Sequence, residues 1–178
     1  MGLPTVRSTD RESALGVTTE RDRDGSGRPE QSRPRDALGR PLPYGATGVP
    51  PLPEPLPRKP AAAVGLAQSL LDQGRPFQAH EVLEEMWHTC PPAQRDGWQG
   101  LAQLAVAITH DGRGNRHGTE RLLQRATSRL VDGGVALPPP VDAAAILDWL
   151  SQARMCVAQG EPLPAGPVIV GQAPPQTT

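Results

Sequence analysis

The chain has 178 residues, a formal net charge of −1, and only three Trp, one Tyr and one Phe. So even a charge balance leaves no electrostatic footprint for nucleic acid or an anionic lipid surface, and no apolar run nears the ~20 residues of a membrane-spanning helix. The start, Met1-Gly2-Leu3-Pro4-Thr5, lacks the basic-then-apolar order of a signal peptide, and Cys90 and Cys156 fit no Cys-x-x-Cys spacing, so the expectation is a cytoplasmic protein with free thiols.

Residues 1–57 read as a Pro/Arg-rich arm, disordered or extended like a strap. The segment from Glu20 to Asp36 mixes both charge signs and has almost no apolar residue, so burial cannot offset its ordering entropy. Pro41, Pro43, Pro50, Pro51, Pro53, Pro55, Pro57 and Pro60 then favour a polyproline-like path, with Leu42, Tyr44, Val49, Leu52 and Leu56 between them. Such a stretch either lies across a helical domain or presents a proline-rich ligand to a protein partner.

Residues 58–160 read as an all-α domain, a compact bundle of about five helices. The first starts at Pro60, repeats Val64, Ala67, Leu70 and Leu71 at helical spacing, and ends at Gly74. The second runs from Pro76 to about His88, and the third from about Ala93 to His110 after Pro91-Pro92. Asp111-Gly112-Arg113-Gly114 is a turn, and Asn115, a good N-cap, opens a fourth helix reaching Leu130. Gly133-Gly134 and Pro138-Pro139-Pro140 make a loop. A fifth helix, about Val141–Gln159, buries Ile146, Leu147, Leu150, Ala153 and Val157 and stops at Gly160. Residues 161–178 are a Pro-rich, loose tail. Short connections make neighbouring helices antiparallel.

On a wheel of 100° per residue, Phe77, Leu83 and Trp87 define a broad apolar side of the second helix, which Ala79 and Met86 extend. His80 and Glu84 fall inside that arc, Glu81 at its edge, and Gln78 and Glu85 outside. Burying an imidazole and a carboxylate costs several kcal/mol unless they are paired, so His80 and Glu84 need partners. The third helix offers a line of Gln99, Gln103 and His110 beside its main stripe of Trp98, Leu101, Leu104, Ala105 and Ile108. The expectation is a buried or cleft-lining set of His80, Glu84, Gln99, Gln103 and His110, bordered by Glu81 and Trp87. Asn115 is placed to orient His110 across the turn.

The string Phe77-Gln78-Ala79-His80-Glu81-Val82-Leu83-Glu84-Glu85-Met86-Trp87, followed by Gln99-Gly100-Leu101-Ala102-Gln103, His110, Gly114-Asn115 and Gly118, resembles the domain-of-unknown-function 309 family. The resemblance covers about residues 61–132 and implies a compact helical bundle. It supplies positions and no mechanism.

Three readings of the cluster follow. It is a satisfied polar network that fixes helix register, or it binds a small polar ligand, with acid–base exchange between His80 and Glu84 and an apolar wall from Trp87. Alternatively, His80, Glu84 and His110 hold a divalent metal such as zinc and support hydrolase-type chemistry. The zinc-protease pattern His-Glu-x-x-His is absent, because His80-Glu81 is followed by Glu84. A third class of function is a protein-interaction module, in which a helical face or the arm meets a partner or a second copy of the chain.

Overall fold

A computed structural model describes residues 33–131 with the backbone of Asp132, Leu137, and residues 140–171. The expectations for residues 1–32, for Gly133-Gly134 and Pro138-Pro139, and for residues 172–178 lie outside the described residues. The described residues form five α-helices in order: α1 Pro60–Asp72, α2 Pro76–Thr89, α3 Arg95–Gly112, α4 Arg116–Thr127 and α5 Ala143–Gln159. Among the described residues none is long and apolar enough to cross a membrane.

Local chemistry sets the boundaries. Pro60 and Pro76 occupy the first turns of α1 and α2, where a missing N–H leaves no helical bond unmade. Gly74, at φ 68°, lets Arg75 N–H close back on Leu70 O at 2.8 Å, ending α1. Asn115 caps α4 by accepting from Gly118 N–H, and Asp142 caps α5 by accepting from Ala145 N–H. A 3-10 turn, Pro92–Gln94, delays the start of α3 to Arg95. The fourth helix is shorter than its apolar spacing suggests, because the backbone widens into a π turn over Ser128–Asp132.

α3 is the central helix, packed against α2 on one side and α4 on the other, while α1 lies on α2 and α5 on α4. Its buried residues run round much of its circumference, from Trp98, Leu101 and Leu104 to Ala102, Ala105 and Ala107. Gly100 makes room for the π turn, since a Cβ there would sit 2.6 Å from the Leu130 side chain. In α5 the buried face differs from the expectation: Leu147 is 41% exposed and Trp149 only 6%. Trp149 is fixed by a bond from its Nε1–H to Ala165 O at 2.6 Å.

Ala165 belongs to the stretch expected as a loose tail, and residues 161–171 are instead docked. Ile169 and Pro167 are buried. Gln68 on α1 accepts from Ile169 N–H at 2.6 Å and donates to Pro167 O at 3.2 Å. Leu163 N–H reaches Asp111 Oδ2 at 3.1 Å, and Val141 and Val170 form a β-bridge that holds Val141 out of α5.

Residues 33–59 form a strap along α2. Asp36 organises a tight loop by accepting from Leu38 N–H and Arg40 N–H. Arg40 reaches Gly112 O at the end of α3, and Arg113 donates through Nε to Leu38 O at 2.9 Å. Further along, Pro50 O accepts from Arg75 and from Gln78 Nε2 at 2.8 Å. Gln78 was expected to face outward; the strap covers it, and its Oε1 accepts from Arg75 Nε. Leu52 and Leu56 pack on the core, and Arg58 lies 4.0 Å from Glu85.

Candidate functional site

The buried face of α2 is made by Ala79, Val82, Leu83 and Met86. Phe77, His80, Glu84 and Trp87 fall along its margin and are half-buried. The apolar arc is therefore turned from the one that the large rings imply, because the strap shelters Phe77 from outside the bundle.

On that margin His80, Glu84 and His88 follow one another at four-residue steps, which stacks their side chains on one helix face. His80 Nε2 lies 3.6 Å from Glu84 Oε2, and His88 Nε2 lies 3.9 Å from Glu84 Oε1. The row grades from sheltered to open, with side-chain exposures of 18%, 45% and 56%. The other ring nitrogen of His80, Nδ1, contacts Phe77 O. A carbonyl only accepts, so that contact puts a proton on Nδ1 and leaves Nε2 with a lone pair when the ring is neutral. The Phe77 and His80 rings also meet, with centroids 4.9 Å apart.

Glu81 lies beside this row. Burial pushes its carboxyl above the usual carboxylate value, against the opposing pull of His80 and then Arg35, with Glu84 adding a smaller upward push. Trp87 tilts against His88, with ring centroids 4.6 Å apart.

His110 belongs to a different constellation. Asn115 Oδ1 accepts from Gly118 N–H at 2.9 Å, so its amide nitrogen is the group facing His110 Nδ1 at 2.8 Å. His110 Nδ1 therefore accepts, and the neutral ring carries its proton on Nε2, the opposite tautomer from His80. Gly118 packs directly under the ring. Burial, and then the charge of Arg113, hold the His110 pKa below its usual value.

The structure thus brings together His80 and Glu84, with Glu81 and Trp87 at their border, and separately His110 and Asn115. It does not join His110 to His80 or Glu84. Gln99 is half-buried, and Gln103 Oε1 is buried without a hydrogen-bond partner. Among the described residues no three His, Cys, Asp or Glu side chains come together as a metal-holding group, so the set His80, Glu84 and His110 is not assembled. The spacing of the sequence could have shown His88 as the second partner of Glu84. Phe77 contributes through its backbone carbonyl, for which no residue type is a signal.

Residues 65–122 match the family described as Domain of unknown function (DUF309). Over 48 residues the chain is 48% identical to the uncharacterized protein YpuF of Bacillus subtilis (strain 168), a match covering 26% of this chain and 28% of that protein. The chain thus spans little more than a quarter of the length of that relative. No solved structure matches. The matched stretch runs from within α1 into α4 and takes in both histidine constellations. Residues 65–122 are therefore similar to the DUF309 family, whose description assigns it no function.

Proposed function

We propose that the α2 margin binds a small polar ligand bearing an amine or hydroxyl group, with His80 Nε2 as acceptor and Glu84 as its charge partner. The observation that supports this reading is the tie of His80 Nδ1 to Phe77 O. It fixes which nitrogen faces Glu84 and leaves that nitrogen a lone pair, as outer hydrogen bonds do for imidazoles in binding sites. Glu84 is open enough to be reached, and Trp87 supplies an apolar edge.

Titration of the protein with small amines, polyols and carboxylates, followed by heteronuclear NMR, tests the reading. Amine or hydroxyl probes should move His80 and Glu84 signals, and His80→Ala should abolish the effect while the chain stays helical. If no probe perturbs His80, or if the substitution only unfolds the chain, the cluster is a structural network.

The same geometry supports a second reading, in which His80 Nε2 and Glu84 Oε2 share a divalent ion such as zinc. Their 3.6 Å separation is compatible with two ligands each about 2.0–2.2 Å from one ion. With His110 elsewhere, solvent or a bound ligand would have to complete the shell. A zinc titration that leaves His80 unmoved excludes this reading.

A further inference from the structure

We propose that the N-terminal strap sets the state of His80 by holding Phe77, so that strap docking switches the α2 site between an ordered and a disordered acceptor. The inference rests on the reading of His80 Nε2 as the acceptor of that site.

The contacts form a short chain. The backbone of Gly39 lies so close to the Phe77 ring that a Cβ there would be 2.3 Å from Phe77 Cγ. Two guanidinium groups, Arg35 from the strap and Arg113 from the end of α3, each sit 5.7 Å from the centre of that ring. Arg35 also donates to Gly39 O at 2.6 Å, so one side chain both shapes the strap loop and covers the ring. Phe77 is thereby clamped between strap and helix. It meets His80 twice, by its ring and by its carbonyl.

That carbonyl lies in the first turn of α2, where the backbone depends on what packs outside it. Neither Lys59 before α1 nor Arg75 before α2 makes a side-chain cap. The start of α2 is instead tied to the strap, through Arg75 and Gln78 on Pro50 O. Releasing the strap frees the ring of Phe77 and the first turn together. The His80 ring then loses its fixed Nδ1 donor contact and samples both tautomers, so the nitrogen facing Glu84 carries a proton for part of the time.

Gly39→Ala and Arg113→Met loosen the clamp from opposite sides, the first by a steric clash and the second by removing a donor to Leu38 O together with a ring contact. The measurement is the pair of His80 ring 15N shifts in the full-length, ligand-free chain, with the exposed His117 as internal reference. In both variants the Nδ1 and Nε2 shifts should move toward each other, while helical circular dichroism is retained. Lowered thermal stability with His80 shifts unchanged would make the strap a mere buttress and overturn the coupling. Should Gly39→Ala not fold, Arg113→Met decides alone, since Arg113 is exposed and outside the core. Because no ligand is present, failure of the coupling is read apart from failure of the ligand titration above.

Discussion

Gly118 is the residue on which the His110 constellation depends. A Cβ at this position would lie 2.0 Å from His110 Nδ1 and 2.7 Å from Asn115 Nδ2. Both neighbours are engaged with each other, so neither yields without breaking a bond. Gly118→Ala should therefore destabilise the chain by about 1–3 kcal/mol, the range for forced overpacking, although alanine is the better helix former. Chemical denaturation checks this, and a stabilised variant would mean that the ring moves freely in solution. Glu81 makes a prediction of opposite sign. Its carboxyl titrates above the ordinary 4.5 because it is desolvated. Between that value and the folded pKa, the folded chain binds more protons than the unfolded chain, so stability falls as pH rises. The contribution is complete at acid pH and lost as pH climbs through the folded pKa. Glu81→Gln keeps the shape without the charge, so its melting temperature relative to wild type should increase from pH 4 to pH 7. A difference that stays constant across that range would contradict the assignment. His110 runs the other way: its depressed pKa means that stability is lost as pH falls through 6.5.

At the scale of the elements, Asn115 has two jobs that substitutions can separate. Its Oδ1 caps α4 and its amide nitrogen holds His110. Asn115→Ala loses both and should cost about 1 kcal/mol. Asn115→Asp keeps the cap oxygen but places a carboxylate beside the imidazole, which favours the charged ring. The His110 pKa, followed by NMR, should then rise above the wild-type value with helicity intact; an unmoved pKa would deny the contact. The helices themselves were legible because their punctuation is chemical: Pro60, Pro76, Gly74, Asn115 and Gly160 act through fixed φ, missing N–H groups and caps. The face of α2 was less legible. Ala79, Leu83 and Met86 fall in the buried stripe as the wheel places them, but the stripe also takes in Val82 and leaves Phe77 and Trp87, which weigh heavily on a wheel, at its margin. The pairing of His80 with Glu84 was readable from their spacing. Their separation from His110 was not, since it depends on which way α3 turns its last residues.

Across the whole molecule, the sequence left open whether the strap lies on the bundle and missed the docking of residues 161–171, and the reason is the same for both stretches. Many of the polar contacts that dock the strap and the C-terminal stretch use their backbone groups, Leu38 O, Pro50 O, Ala165 O and Ile169 N–H, which nearly every residue type offers alike. Only the receiving side chains, Arg113, Arg75, Gln78, Trp149 and Gln68, are specific, and each reads in isolation as an ordinary surface or core residue. The C-terminal side can be tested directly. Truncation after Gly160 removes Ile169 from the core, which alone is worth about 1.5–3 kcal/mol. It also leaves Trp149 Nε1–H in its part-buried setting without its acceptor, a further ~1–3 kcal/mol. Gln68 loses Pro167 O and Ile169 N–H but keeps Asp72 Oδ1 as acceptor and is only partly buried, so water compensates much of that loss. The truncated chain should be less stable by several kcal/mol, a large share of the 5–15 kcal/mol typical of a folded domain. Gln68→Ala in the full chain should be milder and should speed amide exchange at Ile169 and Val170 before it affects α3. An unchanged melting temperature after truncation would show that residues 161–171 contribute nothing to the bundle in solution.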